Sequence, residues 1–327
     1  MPQIMYREAV RDAMAEEMRR DPRVFVMGED VAIYGGAYGA TQGLVEEFGE
    51  ERVRDTAISE QAIAGAATGA AMCGMRPVAE IMYVDFMTLA MDQFVNQAAK
   101  NRYMFGGKTT VPMVLRTEGG AGRSIAAHHS QSLEAWFCHA PGVFVVMPAT
   151  PYDAKGLLKT CIRDDNPILF IEHKMLYKEK GEVPEEEYLI PLGEAALRRA
   201  GGDVTLVGYS RMALLAEEAG RALAEEGVEA EVIDLRCLKP LDVDAILNSV
   251  RKTGRLVLCS EGYQEANFVC EIMAKVQEFA FDDLDAPIER VCALNCPVPM
   301  SPVLEKEAVP STEKIVAAAK RTLARQR

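Results

Sequence analysis

The sequence predicts an α/β protein of two domains, and three observations support this prediction. Apolar segments of strand length alternate with helical segments along the whole chain, which is typical of parallel sheets. At 327 residues the chain is long enough for two domains with separate cores. A charged segment at residues 178–187, KEKGEVPEEE, contains Gly and Pro and predicts a linker. We therefore expect a first domain at residues 1–185 and a smaller second domain at residues 186–327.

The individual elements follow from apolar runs, caps and helical periodicity. In the first half, strands are expected at residues 23–28, 52–57, 77–84, 111–117, 143–147 and 168–172. Helices are expected at residues 4–20, 86–104 and 152–163, the last because Thr150-Pro151 forms a good N-cap and first-turn pair. In the second half, strands are expected at residues 204–209, 231–235, 256–260 and 288–293, with a closing helix near 311–325.

The composition argues against several classes of partner. Hydrophobic residues make up 49% of the chain and charged residues 26%, which is ordinary for a soluble globular protein. The formal net charge of −13 would repel nucleic acid. No apolar run approaches the roughly 18 residues that span a membrane, and the amphipathic N-terminal segment does not resemble a signal peptide. Eight cysteines without a CxxC pair predict reduced thiols and a cytoplasmic protein.

One helix is built almost wholly of small residues, in the segment DTAISEQAIAGAATGAAMCG at residues 55–74. Gly65, Gly69 and Cys73 recur at four-residue spacing, so one face of the helix is nearly bare backbone. Because each interior Gly costs about 1 kcal/mol against Ala, we expect this helix to be buried against a closely approaching neighbour. Glu60 stands at its start, where it is either a functional carboxylate or a simple complement to the helix dipole.

Two loops carry other candidate residues. His128 and His129 lie in the Gly-containing loop at residues 118–132, where adjacent side chains of an extended chain point to opposite faces. At most one histidine can therefore serve a given site, and a solvated or structural role is the alternative. The run Asp164-Asp165-Asn166-Pro167 is most simply a turn after a helix. These residues alone do not name a reaction.

Several long motifs nevertheless resemble one family. They are GEDVAIYGGAYGAT, DTAISEQAIAGAATGAA, RPVAEIMYVDF, QFVNQAAKNRYMFGG, AAHHSQSLEAWFCHAPG and CIRDDNP, followed by VIDLRCLKPLD and LDAPIERV in the second half. They resemble the β subunit of the thiamine-diphosphate-dependent, decarboxylating first component of 2-oxo acid and acetoin dehydrogenase complexes. The resemblance covers essentially the whole chain. It implies a transketolase-like pyrimidine-binding domain with a parallel sheet, followed by a smaller transketolase C-terminal-like α/β domain.

The resemblance assigns roles to residues around the cofactor's pyrimidine ring. Glu60 resembles the carboxylate that hydrogen-bonds the ring nitrogen and favours the imino tautomer, whose neighbouring nitrogen takes the thiazolium proton. Glu29 resembles a second acidic residue in the proton path. Ile58, Met82 and Phe86 resemble the apolar residues that line the ring.

Two further assignments come from the resemblance. His129 resembles the acid/base that assists transfer of the acyl group to lipoamide, and His128 receives no role. A potassium site resembling that of some members would use backbone carbonyls and side-chain oxygens, which suit a hard cation. Its ligands would come from Met113, Cys161, Ile162, Asp164 and Asn166, with a plain turn as the alternative.

One motif of such cofactor sites is missing. Thiamine diphosphate is usually held through its diphosphate and a divalent metal by Gly-Asp-Gly followed about thirty residues later by Asn, and this chain has no Gly-Asp-Gly. An α subunit should therefore supply the diphosphate and magnesium site, in an assembly of two α and two β chains. The expected activity is an oxidoreductase reaction: a 2-oxo acid is decarboxylated, or acetoin is cleaved, and the lipoyl group of an acyltransferase component is acylated. The alternatives are a self-contained transketolase-like enzyme and a non-catalytic interaction subunit that keeps the fold.

Overall fold

The computed structural model describes residues 1–325, which fall into two units that are not each continuous in sequence. The first unit comprises Met1–Gly119 and Trp136–Leu192. The second unit comprises Gly120–Ala135 and the described residues from Gly193 onward. The sequence placed the division after residue 185 and the loop at residues 118–132 in the first domain. The structure divides the chain after Leu192 and assigns nearly all of that loop to the second unit.

The first unit is built on a parallel sheet. Its strands are β1 (Gln3–Met5), β2 (Val24–Gly28), β3 (Val53–Asp55), β4 (Arg76–Tyr83), β5 (Val114–Gly119), β6 (Phe144–Val146), β7 (Ile168–His173) and β8 (Lys180–Glu182). Six of them pair in parallel in the order β6-β7-β5-β4-β2-β3. The helices that begin in residues 1–192 are α1 (Tyr6–Arg20), α2 (Leu44–Phe48), α3 (Glu60–Met72), α4 (Ala99–Met104), α5 (Glu134–His139) and α6 (Pro151–Arg163). The near-continuous apolar strands fit a sheet covered on both faces.

The second unit has a smaller, mostly parallel sheet. Its strands are β9 (Ala196–Arg199), β10 (Val204–Gly208), β11 (Ala230–Asp234), β12 (Cys237–Lys239), β13 (Leu256–Tyr263) and β14 (Glu289–Ala293). Five of them pair in the order β14-β13-β10-β11-β9, with β9 antiparallel to β11. Its helices are α7 (Arg211–Glu225), α8 (Val243–Thr253), α9 (Val269–Phe279), α10 (Pro302–Ala308) and α11 (Thr312–Leu323). The predicted strands near 204, 231, 256 and 288 are all present, and α11 matches the predicted closing helix.

The structure corrects the linker predicted at residues 178–187, because this segment lies inside the first unit. Within KEKGEVPEEE, β8 pairs antiparallel with β1, and both strands belong to the first unit. Lys180 and Glu182 are exposed, so the charged composition reflects a small sheet at the surface and not a connection between domains. Charged side chains are common on such exposed strands because they discourage pairing with other chains.

The prediction of one continuous helix at residues 86–104 is also wrong. The segment begins as a 3₁₀ helix at Val84–Thr88, continues as a π-helix at Asp92–Ala98 and ends as α4. The Thr88 hydroxyl donates to the Asp85 carbonyl at 2.8 Å, a local hydrogen bond that favours a tight turn over a continuing α-helix. Apolar spacing alone does not distinguish these helix types, since all of them repeat every three to five residues.

The small-residue helix α3 has one buried face and one open face. α3 buries Ile63, Ala64, Ala67, Thr68 and Ala71, together with Glu60 at its start. Its glycine face is open within residues 1–325: a Cβ on Gly69 would meet no atom within 4 Å, and one on Gly65 would meet only Gln93 Cγ at 3.5 Å. The close neighbour that the sequence predicts for this face is therefore not supplied by the described chain.

Candidate functional site

Glu60 is placed by a short strand and by the first turn of α3. β3 ends at Asp55, and five residues later the helix begins at Glu60, with Ser59 as an extended N-cap. The Asp55 carboxylate accepts the Ala32 N–H at 2.7 Å, which ties this connection to the loop after β2. Glu60 is only 8% exposed. The carboxylate thus lies at the carboxyl edge of a parallel sheet, where ligand sites of such sheets are usually found.

Glu29 joins Glu60 at the same edge. It follows directly after β2, which pairs in parallel with β3 and β4. Burial raises the pKa of Glu29, and the neighbouring carboxylate of Glu60 raises it further, as do Asp30 and Glu80. Glu29 Oε1 is buried and has no hydrogen-bond donor among the described residues. A buried acceptor without a donor is costly, so it marks a place where a ligand with N–H groups would be stabilised.

The three apolar candidates have different environments. Ile58 is 81% exposed although it is large and apolar, and it stands two residues before Glu60. Met82 lies in β4 and Phe86 in the 3₁₀ helix that follows, and both are half-buried. The rings of Phe86 and Tyr83 meet edge to face with centroids 5.8 Å apart. Of the three, Ile58 alone is exposed, and an exposed apolar side chain two positions from a buried carboxylate can contact a flat heteroaromatic ring.

The first unit also contains a buried polar group that sequence reasoning missed, formed by Glu118, Tyr38, Tyr83 and Lys174. Glu118, at the end of β5, is 2% exposed, and burial raises its pKa to about 8 although Lys174 acts to lower it. Tyr38 and Tyr83 approach each other through their hydroxyl oxygens at 3.3 Å, and the Lys174 ammonium lies 5.2 Å from the centroid of the Tyr83 ring. This group therefore supports Tyr83, which in turn packs on Phe86. Its only signal in the sequence is a Glu at the end of an apolar strand.

A buried ion pair joins neighbouring strands of the same sheet. The Arg116 guanidinium donates to both oxygens of Glu172, at 2.6 and 2.9 Å, and to Glu80 Oε2 at 2.8 Å. Arg116 and Glu172 are each 1% exposed. The fork geometry of the pair fixes β5 against β7 and satisfies charges that would otherwise be unpaired inside the sheet.

The two histidines lie in the second unit. A 3₁₀ turn at Ala127–His129 carries them, and His128 is exposed whereas His129 is half-buried. The two histidines lie in a turn and not in the extended segment on which the prediction of opposite faces depended, so the assignment of His129 to a site stays a prediction. Ser124 and Ala126, earlier in the same loop, have φ angles of +56° and +65°, a left-handed conformation that costs energy for residues with a Cβ.

Two of the oxygens predicted as potassium ligands accept hydrogen bonds from an arginine. Arg76 Nη1 donates to the carbonyl oxygens of Ile162 and Asp164 at 3.0 and 2.9 Å. Asp164 Oδ1 accepts the backbone and side-chain N–H groups of Asn166, both at 2.8 Å. Met113 O accepts the Ile168 N–H at 3.0 Å. Oxygen atoms are gathered here, and two of them already bond a cationic guanidinium.

Cys161, the remaining predicted ligand, is buried in the last turns of α6. Across residues 1–325 no group of three or more His, Cys, Asp or Glu side chains is arranged to hold a metal ion. In the same range, no helix has both the length and the apolar character needed to cross a membrane.

Comparison with known proteins gives consistent matches over both units. Residues 2–180 match the family described as transketolase, pyrimidine binding domain, and residues 193–315 match transketolase, C-terminal domain. The chain is 50% identical to the acetoin:2,6-dichlorophenolindophenol oxidoreductase subunit beta of Cupriavidus necator, over 96% of each chain. It is 46% identical to the 2-oxoisovalerate dehydrogenase subunit beta of Bacillus subtilis, over 97% of this chain and 98% of that one.

Two further matches extend the comparison. The pyruvate dehydrogenase E1 component subunit beta of Rhizobium meliloti is 47% identical, over 98% of this chain and 70% of that protein. Among solved structures, a split gene transketolase, described as an inactive beta4 tetramer, covers 99% of this chain and 100% of its own with a TM-score of 0.83. At 23% identity this structure shows the fold alone.

Proposed function

Because this chain belongs to the family of β subunits of the first components of 2-oxo acid and acetoin dehydrogenase complexes, we propose that it forms the pyrimidine half of a thiamine diphosphate site. The family depends on thiamine diphosphate in general. One observation carries the proposal: Glu29 Oε1 is buried without a hydrogen-bond donor among the described residues, and the carboxylate of Glu60 lies close enough to raise the pKa of Glu29. An aminopyrimidine offers N–H groups to such acceptors and an apolar ring face to Ile58.

The residues at this edge would divide the work of holding the ring. Glu60 would hold a proton at the ring nitrogen, and Glu29 would exchange protons with Glu60. Ile58, Met82 and Phe86 would cover the ring faces and exclude water, which strengthens the hydrogen bonds to the carboxylates. When bound, thiamine diphosphate supplies a thiazolium carbon that becomes a nucleophile after losing its proton.

We propose a 2-oxo acid or acetoin as the substrate and the lipoyl group of an acyltransferase component as the acceptor. The relatives are named for acetoin, pyruvate and 2-oxoisovalerate, so the names support the reaction class and not one substrate. His129 would act as acid and base during transfer to the lipoyl group, because it is the less exposed of the two loop histidines. An imidazole can exchange a proton near neutral pH, as this transfer requires.

We propose an α subunit as the obligatory partner, in an assembly of two α and two β chains. The relatives are named as β subunits, which implies such a partner. The chain lacks Gly-Asp-Gly, so the α subunit would bring the diphosphate and magnesium ligands. The open glycine face of α3 offers it a surface that backbone can approach closely. Exposed Tyr103, Met104 and Phe105 at the end of α4 add apolar area to bury.

A potassium ion near Asp164 is a smaller proposal. The gathered oxygens support it, and the positive charge of Arg76 at two of them opposes it. If the ion binds, melting in potassium chloride should occur at a higher temperature than in lithium chloride at equal ionic strength. Equal melting temperatures would leave the plain turn as the correct interpretation.

The main proposal is tested by reconstitution. The chain is combined with the α subunit and the lipoyl acyltransferase from its own organism, and lipoyl-linked turnover is measured with pyruvate, branched 2-oxo acids and acetoin. One of these substrates should support turnover that requires thiamine diphosphate, magnesium and both chains. Activity of the β chain alone would favour the self-contained transketolase-like enzyme. A complex that assembles but turns over none of the substrates would favour the non-catalytic interaction subunit.

A further inference from the structure

The loop Gly120–Ala135, called the histidine loop below, has little regular structure of its own. It carries His129 in a single 3₁₀ turn and closes on itself through a hydrogen bond from Gly120 N–H to the Gln131 carbonyl at 3.0 Å. Ser124 and Ala126 are held at positive φ. A short loop with two strained residues does not keep one conformation unless its surroundings determine it.

Glu305, on α10, supplies that restraint. Its Oε1 accepts the Gly122 N–H at 2.8 Å, and its Oε2 accepts the Ser124 N–H at 3.0 Å and the Ser124 hydroxyl at 2.9 Å. Glu305 is 4% exposed, so these donors take the place of water around a buried carboxylate. Hydrogen bonds to an ionised acceptor are about twice as strong as neutral ones, and here three donor groups meet at one side chain.

The start of the histidine loop has further contacts, made by Ala121. Ala121 packs with Val298 and Val309, the latter at the end of α10, in a small apolar cluster. The Ala121 N–H donates to Oε1 of Glu261, in β13. Residues 121–124 are therefore held by two carboxylates and one apolar contact. The segment that continues to His129 leaves from this fixed point.

We propose that Glu305 is a positioning residue for His129, one that acts only by holding the histidine loop in one conformation. The inference rests on the proposed role of His129 in lipoyl transfer. Loss of the Glu305 charge would leave the Gly122 and Ser124 N–H groups poorly paired and the positive φ of Ser124 unsupported. The loop would then populate other conformations, and the rate of the step that uses His129 would fall with the competent fraction.

The test uses Glu305→Gln in the complete complex with the α subunit and the lipoyl acyltransferase. Glu307→Gln is the matched control, because Glu307 is an exposed carboxylate on the same helix. Lipoyl-linked turnover should fall at least ~10-fold in Glu305→Gln, while turnover with an artificial electron acceptor should fall less than ~3-fold. Hydrogen–deuterium exchange should speed up in peptides that cover residues 120–130 and stay unchanged in Glu307→Gln. Unchanged exchange in Glu305→Gln would overturn the inference.

A double-mutant cycle with His129→Ala separates this inference from the function on which it rests. If Glu305 acts through His129, its replacement should have little further effect on lipoyl transfer in the His129→Ala background. Equal losses with and without His129 would mean that Glu305 only stabilises the fold, and the positioning role would be wrong. If His129→Ala itself transfers acyl groups normally, the proposed role of His129 fails, whatever Glu305 does. If His129→Ala is impaired and Glu305→Gln is not, the inference alone fails.

Discussion

The carboxylate of Glu60 lies within electrostatic range of Glu29 and, after burial, is the largest influence that raises the pKa of Glu29. The two residues come from separate connections, one after β2 and one at the start of α3, and the parallel pairing of β2 with β3 brings them to one edge. Two neighbouring carboxylates cannot both be ionised without repulsion. Glu29 is therefore predisposed to keep its proton to higher pH than an ordinary glutamate, which suits a site that passes protons to and from a ring nitrogen.

Glu60→Gln should abolish most catalysis without disturbing the fold. Glutamine has nearly the same shape as glutamate and keeps one acceptor oxygen, but it cannot exchange a proton. Positioned acid–base groups contribute roughly 10²–10⁴-fold to a rate, so cofactor-dependent turnover of the reconstituted complex should fall at least ~10²-fold. Circular dichroism and assembly with the α subunit should be unchanged. Gln61→Ala, at the exposed next position, is the control, and near-normal turnover of Glu60→Gln would refute the assignment.

Glu29→Gln should make the protein more stable at high pH. The pKa of Glu29 is raised in the folded state, so the folded protein binds this proton more tightly than the unfolded chain. Stability is therefore lost as pH rises from the ordinary glutamate pKa through the raised one. The substitution removes that loss, and the melting temperature of the variant should exceed that of the wild type by up to a few degrees. The difference should grow as pH rises above the ordinary glutamate pKa and be absent in Glu50→Gln, an exposed control. A difference independent of pH would contradict this explanation.

His129→Ala should separate two partial reactions. Lipoyl-linked turnover of the complex should be nearly abolished, whereas turnover with an artificial electron acceptor should survive better, because that reaction bypasses the lipoyl group. His128 is the internal control, since it is exposed and its replacement by Ala should be mild. Equal losses in both assays would mean that His129 acts before the transfer step or only supports its loop.

Arg116→Met should destabilise the first unit strongly. Removing one partner of a buried ion pair typically costs about 3–5 kcal/mol, because the remaining charges, here Glu172 and Glu80, are left unpaired. The matched control is Arg19→Met, which breaks a pair with Glu47 whose side chains are 56% and 42% exposed. Exposed pairs contribute about 0–1 kcal/mol. Urea denaturation of the two variants measures the difference, and similar losses of stability would contradict the structural interpretation.

The isolated chain should not bind thiamine diphosphate tightly. Phosphate and metal contacts normally supply much of the affinity for such a cofactor, and this chain offers only the pyrimidine half of the proposed site. Calorimetry with excess magnesium should show no tight binding until the α subunit is added. The exposed residues Met72, Tyr103, Met104 and Phe105 should also make the chain associate with itself, as light scattering would reveal. Micromolar binding by the chain alone would contradict the half-site proposal.

Local sequence signals predicted the elements that are buried and regular. The strands near residues 24 and 204 were found because short runs rich in β-branched and apolar residues have few other interpretations. The 3₁₀ and π segments between Val84 and Ala98 were missed because their apolar spacing imitates an α-helix. The strands β1 and β8 were missed because each has only three residues, and β8 lies in a charged segment with Gly and Pro that is as typical of a linker.

The site itself depended on more than local pattern. Glu60 and His129 received roles through family resemblance, since an isolated Glu or His is usually structural. Glu118 had only its position at the end of an apolar strand as a signal, and Glu305 had none, because their importance comes from burial and from partners far away in sequence. The chain gives no sign at Glu305 that its carboxylate will meet the backbone of residues 122–124.

The histidine loop leaves the ribosome long before the groups that order it. Glu305 follows His129 by 176 positions, so roughly 9–35 s separate their synthesis at about 5–20 residues per second. The last residue of the first unit, Leu192, emerges well within that interval. A nascent first unit would therefore carry both histidines on a segment that lacks its contacts with Glu261 and Glu305, open to proteases and chaperones, until β13 and α10 are made. A chain truncated before Pro302 should be cleaved by trypsin at Arg123 much faster than the full-length protein.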